Sequence, residues 1–300
     1  MKVLISGSSG LVGTQLASAL SQGGHQVARL VRDAAQAASG DVVWNPKSGE
    51  IDASALESFD AVVNLAGESI ASGRWTARKK AEIRESRVAA TRRLAGALAG
   101  LSPRPRVLIN ASAIGYFGDR GDERLDETSA SGSGDFLSEV CRDWESATEP
   151  AVRAGVRVVL ARFGVILSSK GGALAKMLLP FKLCLGGKIG SGRQWMSWIA
   201  IDDVVGAIIH ALDHSDLRGP VNVVAPQAVT NAEYTKALGR VLSRPTIFPM
   251  PALAARTAFG QMGDELLLAS QRVQPAKLLA SGYAFKYPAL EGALRHVLNR

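Results

Sequence analysis

The residues best suited to chemistry come first in the chain: Gly7-Ser8-Ser9-Gly10-Leu11-Val12-Gly13. They join an apolar run, Lys2 to Ser6, to a stretch with Leu11, Val12, Leu16 and Leu20 at helical spacing. Glycines in that setting let the chain turn sharply, bring backbone N–H groups against a diphosphate, and pack helix on strand. The helix dipole adds attraction for phosphate. Glycine spacing alone is a weak signal; the strand before and the helix after give it weight. By contrast, His25, His210, His214 and His296 fall in turn or helix contexts. Neither they nor Cys141 and Cys184 have the spacing of metal ligands or of a redox pair. No metal is expected, and the cysteines read as buried thiols in a reducing cytoplasm.

A phosphate loop needs a sheet to carry it. Apolar runs expected as strands recur at Gln26–Val31, Val42–Trp44, Ala61–Asn64, Arg106–Ser112 and Val156–Phe163. Helices are expected between them: Leu11 to Gly23-Gly24, Ala53–Ser58, a long one from an N-cap at Thr76 to Gly100, and Asp135–Ala154. This alternation predicts an α/β fold, a doubly wound parallel sheet with helices on both faces. After Gly164 the pattern loosens. A helix is expected from Gly171-Gly172 to Leu185, another over Asp202–Leu212, and a strand at Pro220–Val224 that could join the sheet. Thr230-Asn231-Ala232-Glu233 has the signature of a capping box. Residues 1–170, completed by 198–225, are expected to form the nucleotide-binding domain. Residues 171–197 and 226–300 are expected to form a smaller, mainly helical substrate lobe.

The G-x-x-G-x-x-G spacing from Gly7 resembles the extended and atypical short-chain dehydrogenase/reductases. Asn64-Leu65-Ala66-Gly67 is similar to that superfamily's N-x-A-G turn. Asn110-Ala111-Ser112 with Tyr116-Phe117-Gly118 is similar to its S-x-x-x-Y-G segment, and Trp198 through Val204 to its V-H-V-x-D stretch. Further marks narrow the resemblance to the nucleoside-diphosphate-sugar-epimerase-like "epimerase family". They are Leu65-Ala66-Gly67-Glu68, Gly73-Arg74-Trp75-Thr76, Ser86-Arg87-Val88, Trp144-Glu145, and a tail from Glu265 through Ser270-Gln271-Arg272-Val273 to Leu279. The resemblance spans nearly the whole chain. It implies a Rossmann fold and a nicotinamide dinucleotide held by Gly7, Ser9, Gly10, Leu11, Val12, Gly13, Leu65, Ala66, Gly67, Glu68, Arg87 and Ser112. It does not imply a substrate, because fold analogy carries none.

In such folds a carboxylate at the end of the second strand takes the ribose 2′-hydroxyl of NAD. The resemblance puts that position at Val31, with Arg32 beside it. An arginine there grips a 2′-phosphate with charge-assisted hydrogen bonds of about 1.5–3 kcal/mol, so NADP(H) is the expected cofactor. A slide in register would instead bring Asp33 to the ribose. Trp44 and Asn45 are candidates to flank the adenine, unless Trp44 packs in the core.

The superfamily's reductases carry a Tyr-x-x-x-Lys pair on the helix after the fifth strand. The lysine lowers the tyrosine pKa and the tyrosine passes the proton. Here that helix offers Phe136 and Val140 or, shifted by one, Leu137 and Cys141, and no Tyr-x-x-x-Lys occurs in the 300 residues. Ser112 remains to polarise a carbonyl. Tyr116 is either a displaced proton donor or a pocket wall. Glu68 is either a base beside the nicotinamide or a loop anchor. In the glycine- and tryptophan-rich loop from Gly190, expected as a lid, Gln194, Trp195 and Trp198 either line the substrate pocket or fill the gap between lobes.

Composition sets the remaining bounds. Apolar residues at 47% and charged residues at 21% are those of a soluble globular protein. No apolar run of about 18 residues is present to span a membrane. Lys2 and Val3-Leu4-Ile5 are too short for a signal peptide, so a cytoplasmic protein without a membrane partner is expected. Much of the net charge of +8 sits at Arg74, Arg78, Lys79, Lys80, Arg84, Arg87, Arg92 and Arg93. These read as a solvated helix face; no aromatic residues interleave with them as nucleic-acid binding would require. The expected function is an NADP(H)-dependent oxidoreductase of the atypical short-chain type acting on a small carbonyl or alcohol. The missing pair leaves an alternative, a catalytically silent NADP(H)-binding protein that reports redox state to a protein partner. Family members with names tied to cell or plastid division suit that role.

Overall fold

The computed structural model describes residues 1–46 and 51–300. The chain begins β1 (Lys2–Ser6), α1 (Leu11–Gln22), β2 (Gln26–Val31), β3 (Val42–Val43), α2 (Ala53–Leu56) and β4 (Ala61–Asn64). It continues α3 (Ala77–Ala99), β5 (Val107–Ala113), β6 (Arg124–Leu125), α4 (Phe136–Ser146), α5 (Glu149–Arg153), β7 (Arg157–Phe163) and β8 (Val165–Leu167). Then come α6 (Gly172–Lys182), β9 (Trp195–Met196), β10 (Trp198–Ala200), α7 (Ile201–Asp213), β11 (Gly219–Val223) and β12 (Val229–Thr230). The tail holds α8 (Asn231–Leu242), α9 (Ala252–Phe259), α10 (Gln261–Gly263), a π turn at Asp264–Leu268, β13 (Arg272–Val273), α11 (Ala276–Ala280) and α12 (Leu290–Leu298).

β1 shows why an unbroken apolar run makes a central strand. Successive side chains point to opposite faces, and both faces are covered. Val3 and Ile5 pack with Leu16 and Leu20 of α1 and Val204 and Ile208 of α7. Leu4 packs the other way, with Leu94 and Leu98 of α3 and Ala151 of α5. All three are fully buried, each contributing roughly 1.5–3 kcal/mol. The seven strands run in the order β11-β7-β5-β4-β1-β2-β3, every pairing parallel. The chain steps outward from β1 through β2 to β3, then returns to β4 on the other side. That reversal opens a crevice beyond the carboxyl ends of β1 and β4, where open α/β sheets bind ligands. A further core, built from α6, β10, α8 and α12, centres on Trp198 and Tyr234.

Local chemistry adjusts several expected boundaries. The helix expected over Asp135–Ala154 is two, α4 and α5, because Pro150 has no N–H to donate and its ring excludes the carbonyl one turn back. α6 stops at Lys182, before Leu185, and Cys184 turns left-handed at φ 61°. The third strand loses Trp44, which instead bridges to Ile51, and α2 ends at Leu56 rather than Ser58. The Thr230 capping box forms in full.

Candidate functional site

Gly7 leaves β1 at φ +67°, the left-handed region that favours glycine. A Cβ there would fall 2.8 Å from the Leu65 carbonyl carbon, and one at Gly13 only 2.2 Å from the Gly7 oxygen. Two strand ends, the loop and α1 therefore meet with no room for a methyl group. Gly10 is the N-cap of α1; no side chain caps the helix and its first turn carries no acid. Its leading N–H groups are left for an anion, so this cradle fits a dinucleotide diphosphate. Ser9 is exposed beside it, and Leu11 and Val12 are half-buried.

Buried polar groups hold the facing turn. Ser6 Oγ donates to Asn64 Oδ1 at 2.5 Å, and Asn64 Nδ2 donates to Asn110 Oδ1 at 2.7 Å and to Thr91 Oγ1 at 3.0 Å. Trp144 Nε1 completes the network by donating to Thr91 Oγ1. From β4 the chain passes Leu65, Ala66 and Gly67 to Glu68, whose N–H donates to Ser86 Oγ and whose carboxylate pairs with Lys79 at 2.5 Å. The Lys79 hydrogen bond holds Glu68 below the usual carboxylate range, so Glu68 is a loop anchor and a poor base. Arg87 corrects the picture of a fully solvated basic helix. Its guanidinium lies against Gly67, over the Trp144 ring, and donates to Ile83 O and Ser86 Oγ, a carbonyl and a hydroxyl rather than a carboxylate. Burial depresses its pKa. A desolvated guanidinium beside the crevice is suited to an anion.

At the far end of the crevice, Arg32 is exposed just past β2. Asp33 accepts the Ala35 N–H at 2.9 Å, capping a 3₁₀ turn over Ala34–Gln36. Trp44 does not flank this end. It is 4% exposed and packed in the core with Leu4, Leu30 and Leu94, so its ring has no face for an adenine.

The absent Tyr-x-x-x-Lys pair is replaced by an apolar surface and, behind it, an ionic one. Leu137 and Cys141 pack against Gly115. Burial, reinforced by Glu145, pushes the Cys141 thiol up to about 12. One turn on, Glu145 accepts three hydrogen bonds: from Ser112 Oγ at 2.7 Å, Arg162 Nε at 2.7 Å and Arg162 Nη2 at 2.8 Å. The Arg162 side chain is 3% exposed, and its Nη1 has no partner among the described residues. Burial works against its charge, but Glu145 outweighs burial and holds its pKa above the ordinary value. The guanidinium lies 3.5 Å from the centre of the Tyr116 ring. Ser112, 2% exposed with its proton on Glu145, is an anchor here, not a donor to a carbonyl. Sequence reasoning missed Glu145 and Arg162 as partners. An arginine inside the apolar run Val156–Phe163 was the available signal, since a buried strand carries a charge only with a partner.

The lid residues divide. Trp198 is fully buried beneath the sheet ends and lines nothing. Gln194 is also buried, its amide donating to Ile189 O and Leu267 O, so it staples the loop to the tail. Trp195 alone borders a cavity, a surface hollow of about 400 Å³ shared with Arg124, Gln227 and Arg272. The Arg272 guanidinium stacks on its ring at 4.0 Å. The tail also reaches α4: Glu265 accepts the Phe136 and Leu137 N–H groups at 3.1 and 2.9 Å. Among the described residues no group of side chains could hold a metal ion.

Sheet order and glycine cradle define a Rossmann-type α/β protein. The model of the NAD dependent epimerase/dehydratase family matches residues 3–224, and the chain belongs to that family. A model for a domain of unknown function matches residues 250–297. Epimerase family protein Mb2239 of Mycobacterium bovis is 47% identical over 298 residues, 99% of this chain and 98% of that protein. A crystal structure of human epimerase family protein SDR39U1 (isoform 2) with NADPH superposes with a TM-score of 0.91 at 35% identity, covering 100% of both chains. A nucleoside-diphosphate sugar epimerase from Corynebacterium glutamicum gives 0.83 at 41% identity, over 99% of this chain and 58% of that one.

Proposed function

We propose that the protein is an NADP(H)-dependent oxidoreductase of the atypical short-chain type, acting on a carbonyl or alcohol with Tyr116 as the proton donor. The observation that carries this reading is the Arg162 guanidinium 3.5 Å from the Tyr116 ring centre. This cation–π contact fixes the Tyr116 ring and places a cation beside the tyrosine, as the lysine does in the Tyr-x-x-x-Lys pair. Glu145 holds the guanidinium plane by two parallel hydrogen bonds, and Ser112 holds Glu145. Both are positioning residues. The Gly7–Gly13 loop binds the diphosphate, Arg32 the 2′-phosphate, and Gly67 and Arg87 the nicotinamide half. The human relative crystallised with NADPH supports this cofactor. When bound, NADPH supplies a hydride; Tyr116 delivers the proton to the substrate oxygen. Residues 226–300 form the substrate wall.

The test is to follow reduced-nicotinamide absorbance while the purified protein meets a library of carbonyl compounds. A turned-over substrate whose reduction collapses in Tyr116→Phe supports the reading. A catalytically silent redox reporter is favoured by one observation, the closed and buried Ser112–Glu145–Arg162 cluster. Tight NADPH binding that alters contact with a partner protein, with no turnover across the library, would favour it instead.

A further inference from the structure

Among the described residues ten large apolar side chains are exposed, and seven of them lie in two short segments, 179–185 and 247–253. Leu179, Leu183 and Leu185 are 65, 60 and 59% exposed; Ile247, Phe248 and Leu253 are 70, 54 and 72% exposed. The segments are one surface. Arg244 Nε donates to Lys182 O, Met250 N–H donates to Lys188 O, and Gly190 N–H donates to Met250 O. The Gly187 backbone lies so close to Phe248 that a Cβ there would fall 2.0 Å from the Phe248 oxygen. Monomeric proteins seldom leave such clusters uncovered.

The two stretches of chain that build the patch carry only positive charge. Residues 150–201 and 234–263 contain no aspartate or glutamate. Exposed Lys182, Lys188 and Arg244 rim the apolar side chains. We propose that this face docks on a lipid bilayer bearing anionic headgroups, the leucines, Ile247 and Phe248 entering the acyl boundary while the lysines reach the headgroups. A second copy fits poorly, because face-to-face pairing sets like charges against each other. A protein partner fits less well than a bilayer, because protein interfaces favour tyrosine, tryptophan and arginine and are depleted in lysine. No helix among the described residues is long and apolar enough to cross a membrane, so the attachment is to the surface. The proposal is independent of catalysis.

The experiment is co-sedimentation of the full chain, with NADPH present, with vesicles of phosphatidylcholine alone or mixed with phosphatidylglycerol. Binding is expected only to the mixed vesicles and should weaken with added salt. Lys182→Gln with Lys188→Gln should weaken it about twenty-fivefold, from roughly fivefold per lysine. Leu183→Ser with Phe248→Ser should abolish it while melting temperature and NADPH affinity stay unchanged. No binding to mixed vesicles would overturn the proposal. So would equal binding by the serine variant, or self-association without lipid that the serine variant removes.

Discussion

The Arg162 guanidinium lies 3.5 Å from the centre of the Tyr116 ring while Glu145 grips its other edge through two hydrogen bonds. Charge, ring and carboxylate come from β7, the turn after β5, and α4, so the constellation exists only in the folded protein. Tyr116→Phe keeps the ring and removes the proton. It should lower kcat by about 10²–10⁴-fold on any substrate found, with NADPH affinity unchanged. A loss below tenfold would make Tyr116 a pocket wall instead. Arg162→Met strands Glu145 in a buried site and should cost about 3–5 kcal/mol of stability, read as a fall in melting temperature.

The proposed preference for NADP(H) rests on Arg32. Arg32→Ala should weaken NADPH by about 1.5–3 kcal/mol and leave NADH nearly unchanged, by calorimetric titration. Equal affinities for the two cofactors in the parent protein would remove the 2′-phosphate contact from the account.

Cys141 offers a test of packing. With its thiol pushed up to about 12 by burial, it should resist iodoacetamide in the folded protein across neutral pH and react only on unfolding. Modification of Cys141 under native conditions, located by peptide mass, would show that α4 opens.

His210 supplies a pH dependence. Its ring stacks on His214, centroids 3.6 Å apart, and burial first, then the His214 charge, hold it below the ordinary value of 6.5. The unfolded chain therefore takes up this proton more readily. Stability should fall as pH drops through about 6.5 and level off below the folded value. His210→Gln should flatten that slope in urea midpoints measured across this range.

The sheet was legible because its strands are buried on both faces and read as apolar runs. Gly7, Gly10 and Gly13 were legible because backbone geometry there excludes any side chain. Less visible was whatever depends on residues distant in sequence. Trp44 and Trp198 carry the same indole as Trp195, and only packing decides that two fill cores while the third borders a hollow. Glu145 reads as one more charge on an amphipathic helix until β7 brings Arg162 against it. The silent Tyr-x-x-x-Lys positions could not reveal that a cation arrives from another strand.

Glu265 links the tail to the first turn of α4, and the pairing of β13 with β6 and Ser270 N–H on Asp119 fasten the tail to the segment between β5 and α4. Across the crevice the ties are Lys176 of α6 to the Ala71 carbonyl, Lys80 to Gln261 Oε1, and Arg74 to the carbonyls of Thr257 and Ala258. The side of the crevice formed by α4 and the tail is thus held by backbone as well as side-chain hydrogen bonds. Admission of a ligand is expected to displace α6, while Tyr116, Arg162 and Glu145 keep their alignment on the other side. A spin label on α6 should report that displacement, and one on α4 should not.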